Sequence, residues 1–191
     1  MSARQVIFLT HAEVAIDPDQ PVPHWRLSDV GQARHAAFAH DDRISNVTAI
    51  YTSTERKAKD GAAPVAAAKG LSAQALTALG ENDRSATGYL PKHLFEATAD
   101  RFFAFPDDSI DGWERARAAQ ARVVAAMHTV VELDRTKGDI LIVAHGGVGA
   151  LLRCHLLNRD ISRDQDQPAG GGYFFMCDRS LAVPPSEWVR I

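Results

Sequence analysis

Three short apolar runs each end in residues able to handle protons or anions. Val6-Ile7-Phe8-Leu9 passes into Thr10-His11, and Val47-Thr48-Ala49-Ile50-Tyr51 into Thr52-Ser53-Thr54-Glu55-Arg56. Asp139-Ile140-Leu141-Ile142-Val143-Ala144 passes into His145-Gly146-Gly147. In an open α/β sheet, ligands bind outside the carboxyl ends of the strands, so His11, Arg56 and His145 can meet there despite their separation in sequence. An arginine presents a planar fork of donors to phosphate oxygens, and a protonated histidine adds charge and a further donor. A neutral histidine has a lone pair with which to attack phosphorus. Two histidines and an arginine around one point suit phosphoryl transfer.

The elements that must position these residues follow from the same runs. Compact β-branched and aromatic segments read as buried strands, and helical segments fall between them. Ser28 is placed to cap a helix that continues to Ala39, and a second helix covers residues 54–69 and stops at Gly70. Pro64 should kink or divide the second helix, because proline removes a donor and crowds the preceding turn. Asp111-Gly112-Trp113-Glu114 has capping-box spacing, and Trp113, Ala116, Val123, Val124, Met127, Val130 and Val131 then return at helical intervals. A last helix is expected over residues 148–157, a loop over 158–172 and a strand over 173–177, with Pro184-Pro185 marking a tight connection. Strand and helix alternating in this order predict a three-layer α/β fold, a largely parallel sheet with helices on both faces. The irregular stretch 82–111 reads as an excursion that caps the carboxyl edge of the sheet within one domain spanning 1–191.

Composition excludes several function classes. A chain of 191 residues with 46% hydrophobic and 24% charged residues can bury one substantial core, and its net charge of -3 points away from nucleic acid and anionic membranes. Val6 to Leu9 is too short for a signal-peptide core or a membrane span, so a cytoplasmic protein is expected and the Asn46-Val47-Thr48 sequon carries no meaning. Cys154 and Cys177 stand far apart in apolar contexts and read as reduced core thiols. His24, His35, His40, His93, His128 and His155 form no zinc-ligand spacing. Gly146-Gly147-Val148-Gly149 matches neither the dinucleotide nor the Walker pattern. No metal and no cofactor are expected, and the Trp113 to Val131 face reads as core.

The motifs resemble those of the histidine phosphatase superfamily, the phosphoglycerate-mutase-like group, over most of the chain. Phe8-Leu9-Thr10-His11-Ala12-Glu13 stands where the family has its strand and Arg-His-Gly signature, and Leu27-Ser28-Asp29-Val30-Gly31 is similar to its Leu-Thr-x-x-Gly helix start. Ile50 to Ala58 is similar to the Ser-x-x-x-Arg-Ala segment, with Arg56 as the arginine, Thr52 in the serine's place, Ser53 one place nearer and Lys57 intervening. Leu79-Gly80-Glu81 stands where the family places its acid, and Ile142-Val143-Ala144-His145-Gly146-Gly147 matches the second histidine motif closely. The resemblance implies that neutral His11 attacks phosphorus while Arg56 and protonated His145 hold the charge on the transferring oxygens. Glu81 would protonate the leaving oxygen and then act as base on water. Ser53 would orient a site residue or simply cap the following helix, and Gly146 would offer its backbone. Glu13 is an alternative carboxylate.

Thr10 and Ala12 depart from the signature, and Thr10 supplies one hydrogen bond where arginine would supply a charged fork. Arg84, which closely follows Glu81, and Arg26 are the cations that could compensate, with Arg84 preferred. The resemblance therefore implies a metal-independent phosphomonoesterase acting on a small phosphorylated molecule through phosphohistidine. The alternative is a weak or inactive relative that binds phosphate, a small anion or a partner protein. A phosphoglycerate-type mutase is the lesser alternative.

Overall fold

The computed structural model describes residues 4–191. Strands β1 (Gln5–Thr10), β2 (Val47–Ser53), β3 (Ala73–Leu76) and β4 (Asp139–Ala144) run parallel, while β5 (Tyr173–Asp178) pairs antiparallel with β1 and β6 (Val189–Arg190) antiparallel with β5. The six-stranded order is β3-β2-β4-β1-β5-β6. Among the described residues five α-helices connect them: α1 (Asp29–Phe38), α2 (Arg56–Lys69), α3 (Lys92–Ala104), α4 (Ala116–Leu133) and α5 (Gly146–Leu156).

Strand pleat decides which helices cover which face. Val6 and Phe8 of β1 point into a core with Met127 and Val130 of α4 and Val148 and Leu152 of α5. Ile7 and Leu9 point the other way, into a core with Phe38 of α1 and Ala58, Ala62 and Val65 of α2. Because both faces are covered, β1 and β4 are nearly continuous apolar runs rather than alternating ones. This is the mixed but mostly parallel three-layer arrangement expected from the sequence. Cys154 and Cys177 are buried and free. Among the described residues, no helix is long and apolar enough to cross a membrane.

Ser28 caps α1 by accepting from Gly31 N–H, and Gly70 ends α2 in the left-handed conformation that suits glycine (φ 63°). Other local expectations change. Pro64 does not divide α2, because Ala58, Ala62 and Val65 on either side of it pack into one core and hold the helix against the sheet. The capping box does not form. Asp111 adopts positive φ (50°) and pairs with Arg101, Glu114 pairs with Arg122, and α4 begins only at Ala116. Helix α5 starts at Gly146, two residues earlier than expected, with His145 as its N-cap. The stretch 82–111 contains α3, whose Phe102 and Phe103 pack with Trp113, Ala116 and Leu151 in a third apolar cluster.

Candidate active site

Parallel pairing of β1 with β4 puts Thr10 opposite Ala144, so the next residue of each strand, His11 and His145, emerges at the same edge. Their rings lie 5.2 Å apart at a steep angle. His11 Nδ1 is 2.9 Å from the Ala12 carbonyl oxygen. A carbonyl can only accept, so Nδ1 carries the hydrogen and Nε2 keeps its lone pair. Burial, helped by the charge of Lys57, pushes the His11 pKa down to about 4, leaving the ring neutral at pH 7. Beneath it His35, fully buried, accepts the Ala12 N–H on Nε2 at 3.0 Å, and burial also pushes its pKa down to about 4.

His145 is wholly buried, and its Nε2 stands 3.3 Å from Glu55 Oε1. Burial drives its pKa well below the ordinary value despite the pull of Glu55, so the ring is neutral, not protonated as the resemblance implies. Glu55 is the hub on this side. Its carboxylate meets His145, accepts from the Glu81 N–H at 2.9 Å, and pairs with the Lys57 ammonium, which also donates to Val22 O at 3.1 Å. Burial works to raise its pKa, but the Lys57 ammonium and the Glu81 N–H outweigh that and hold it below the ordinary carboxylate range.

Arg56 is not part of this group. Its side chain is 62% exposed and pairs with Asp60 one turn along α2, at 2.7 Å. Lys57 is instead the buried cation that lines the His11 cavity. Ser53, four residues before Lys57, now has the family spacing, with Lys57-Ala58 where the family has Arg-Ala. Ser53 is buried and accepts the Glu55 N–H at 3.1 Å, shaping the turn into α2 without lining the cavity.

Thr10 is buried and does not line the cavity. Its hydroxyl lies 2.5 Å from Gln167 Oε1 and 3.1 Å from Tyr173 O, and it accepts the Tyr173 N–H. With its oxygen against Thr10, the Gln167 amide turns its Nε2 toward Gly146, where an added Cβ would lie only 2.5 Å from it. Gln167 lines the cavity and brings a neutral donor to the edge from which the family arginine is missing. Gly146 lines the cavity at the first turn of α5, where N–H groups without intrahelical partners favour negative charge.

Glu81 fits against the same helix start. It accepts Gly147 N–H at 3.0 Å on Oε2, and Val148 N–H at 2.9 Å and Asn82 N–H at 3.1 Å on Oε1. Arg122 fixes the approach by donating to the carbonyls of Ala78, Gly80 and Glu81. Arg84 reaches the cavity from the 82–111 stretch, its guanidinium 5.0 Å from the Phe95 ring centre and 5.5 Å from that of Trp113. That guanidinium has no carboxylate partner among the described residues. Arg26 is exposed and off the cavity wall, and Glu13 is engaged by Arg34 at 2.8 Å.

The cavity holds about 510 Å³. Apolar Val14, Ile16, Trp25, Tyr89 and Phe95 form much of its wall, and a second space of about 800 Å³ shares Val22, Glu81, Arg84 and Tyr89 with it. The structure thus brings His11, His145, Glu81, Arg84 and Gly146 together and leaves out Arg56, Ser53 and the Thr10 hydroxyl. Sequence reasoning missed Lys57, Glu55, Gln167 and His35, and only the spacing from Ser53 to Lys57-Ala58 could have signalled one of them.

Two strand-end histidines side by side, beside the start of α5, mark this sheet edge of the α/β fold as the candidate site. The chain belongs to the histidine phosphatase superfamily (branch 1), which residues 6–169 match. Solved structures share the fold. The phosphate complex of a mycobacterial glucosyl-3-phosphoglycerate phosphatase is 23% identical, with a TM-score of 0.72 over 91% of this chain and 89% of that one. YhfR of Bacillus stearothermophilus is 21% identical, with a TM-score of 0.73 over 91% and 90%. TTHB049 of Thermus thermophilus is 17% identical, with a TM-score of 0.68 over 98% and 99%. No protein of curated function matches the sequence significantly.

Proposed function

We propose that the protein is a phosphomonoesterase that moves the phosphoryl group of a small substrate through phosphohistidine on His11 to water. One observation carries this reading: the Ala12 carbonyl fixes the hydrogen of His11 on Nδ1, so a neutral ring presents Nε2 in a cavity that also holds Lys57 and Arg84. The Lys57 ammonium, the Arg84 guanidinium, the Gln167 amide and the Gly146 N–H are the donors for the phosphoryl oxygens. An entering phosphate brings negative charge beside His145, which favours protonation of that ring, and Glu55 then receives its Nε2–H. A carboxyl group must give the leaving oxygen its proton, and the sequence expectation for that role is Glu81.

A second reading, an anion-binding relative without turnover, is favoured by charge. The cations Lys57 and Arg84 are matched in number by the carboxylates of Glu55 and Glu81, so the site has no surplus positive charge of the kind two arginines would give. Hydrolysis of 4-nitrophenyl phosphate between pH 4 and 7, with acid quenching to trap acid-labile phosphoprotein, decides between them. The phosphatase reading expects turnover and a labelled intermediate, both lost in His11→Ala. Phosphate binding with neither signal would establish the second reading.

A further inference from the structure

Resting on the phosphatase reading, the remaining question is which carboxyl group moves the proton. Glu81 is held as an acceptor by three backbone N–H groups, two of them from the first turn of α5. A carboxylate has about four acceptor positions, so most of its capacity faces the backbone. Asp166 stands on the same cavity wall, directly before Gln167 and after the single 3-10 turn Arg163–Gln165. Its Oδ1 accepts the Gln167 N–H at 2.8 Å. Among the described residues its Oδ2 has no hydrogen bond, and the cation nearest to it there, Arg163 Nε, is 3.8 Å away. Arg163 is committed elsewhere, to Glu96 and Asp100 of α3. The groups facing Asp166 are therefore Arg163, whose charge is largely spent, Glu96 across it, and Glu81. Burial first and then the Glu81 charge push the Asp166 pKa up to about 6, where a carboxylic acid still holds its proton in mildly acidic solution.

We propose that Asp166 is the proton donor to the leaving group and that Glu81 is a positioning residue that fixes the start of α5. In the first step His11 Nε2 bonds to phosphorus, the ester P–O bond breaks, and the departing oxygen takes the Asp166 proton. In the second, water bonds to phosphorus, the N–P bond breaks and its electron pair returns to Nε2. The proton lost by water goes to Asp166, restoring the starting state. Gln167, adjacent in the chain and braced by Thr10, couples the donor's position to the phosphoryl site.

The test compares 4-nitrophenyl phosphate, whose leaving group needs no proton, with an alkyl phosphate, whose leaving group does. Asp166→Asn preserves the Oδ1 contact with Gln167 N–H. Losing a general acid should lower kcat/KM on the alkyl ester by about 100-fold or more while changing the nitrophenyl ester by less than about 10-fold. The basic limb of the kcat/KM profile near pH 6 should vanish in this variant, and formate should restore alkyl turnover in Asp166→Ala. Glu81→Gln should reduce both esters alike. Equal losses for both esters in Asp166→Asn, or a leaving-group-dependent loss in Glu81→Gln instead, would overturn the assignment. His11→Ala run in parallel separates the two levels: full activity there refutes the phosphohistidine reading itself.

Discussion

Replacing Lys57 with methionine should do what replacing Arg56 with methionine does not. Lys57 is 3% exposed, pairs with a Glu55 that is itself mostly buried, and lines the His11 cavity. Removing one partner of a buried pair typically costs about 3–5 kcal/mol, because the other charge is left uncompensated. Here Glu55 keeps His145 and the Glu81 N–H, so the lower end, about 3 kcal/mol, is the better figure. In a chain of this size that lowers Tm by roughly 6–12 °C. A charged hydrogen bond to phosphate is worth about 1.5–3 kcal/mol, so the Kd for inorganic phosphate should rise roughly 10- to 150-fold. Arg56 holds only an exposed pair with Asp60, worth under about 1 kcal/mol, and its removal should leave phosphate affinity unchanged. Calorimetric titration with phosphate and a thermal melt of each variant provide the comparison. Glu55→Gln combined with Lys57→Met should recover part of the lost stability but none of the affinity. Phosphate binding that survives Lys57→Met, or falls equally with Arg56→Met, would refute the placement of Lys57 as the cation of the site.

Three further outcomes follow from the same contacts. His35→Leu leaves the buried Ala12 N–H without its acceptor, so urea unfolding should show a loss of about 1–3 kcal/mol. Gly147→Ala would set a Cβ 2.8 Å from Glu81 Oε1; the carboxylate must leave the Gly147 N–H, and activity should fall with little change in the urea midpoint. Acid should weaken the fold between pH 6.5 and 4. His11 and His35, at about 4, and His145, also lowered, bind fewer protons folded than unfolded, so their contribution is complete above 6.5 and declines below it. Asp166, raised to about 6, acts oppositely, since the stability it adds at low pH is lost as pH rises through that value. Three groups against one leave a net uptake of about two protons on unfolding, or roughly 2–3 kcal/mol per pH unit at the steepest. An unchanged urea midpoint between pH 7 and 5 would contradict that balance.

What the sequence revealed and what it hid divide along physical lines. The strands β1 and β4 were legible because burial on both faces makes them nearly unbroken apolar runs, β2 because its β-branched and aromatic residues run into a buried carboxyl end, and the two histidines because parallel register alone sets them side by side. Strand β3, mostly exposed at the sheet edge, and the two-residue β6 leave no such trace. The choice between Arg56 and Lys57 is a question of helix phase. Neighbouring positions on a helix point about 100° apart, so a one-residue slip in reading the segment turns a buried cation into a solvent-facing one. Asp60 pairs with Arg56 one turn on, whereas Gly61, one turn after Lys57, faces the ring of His35. The loss at Thr10 is met from a still greater distance. Its hydroxyl reaches a glutamine 157 positions later, a partnership written in no local pattern. Such a site is better described by the donors on the wall of the His11 cavity than by the residues of its signature. Here those donors are an ammonium, a stacked guanidinium and an amide, drawn from α2, the 82–111 stretch and the loop before β5.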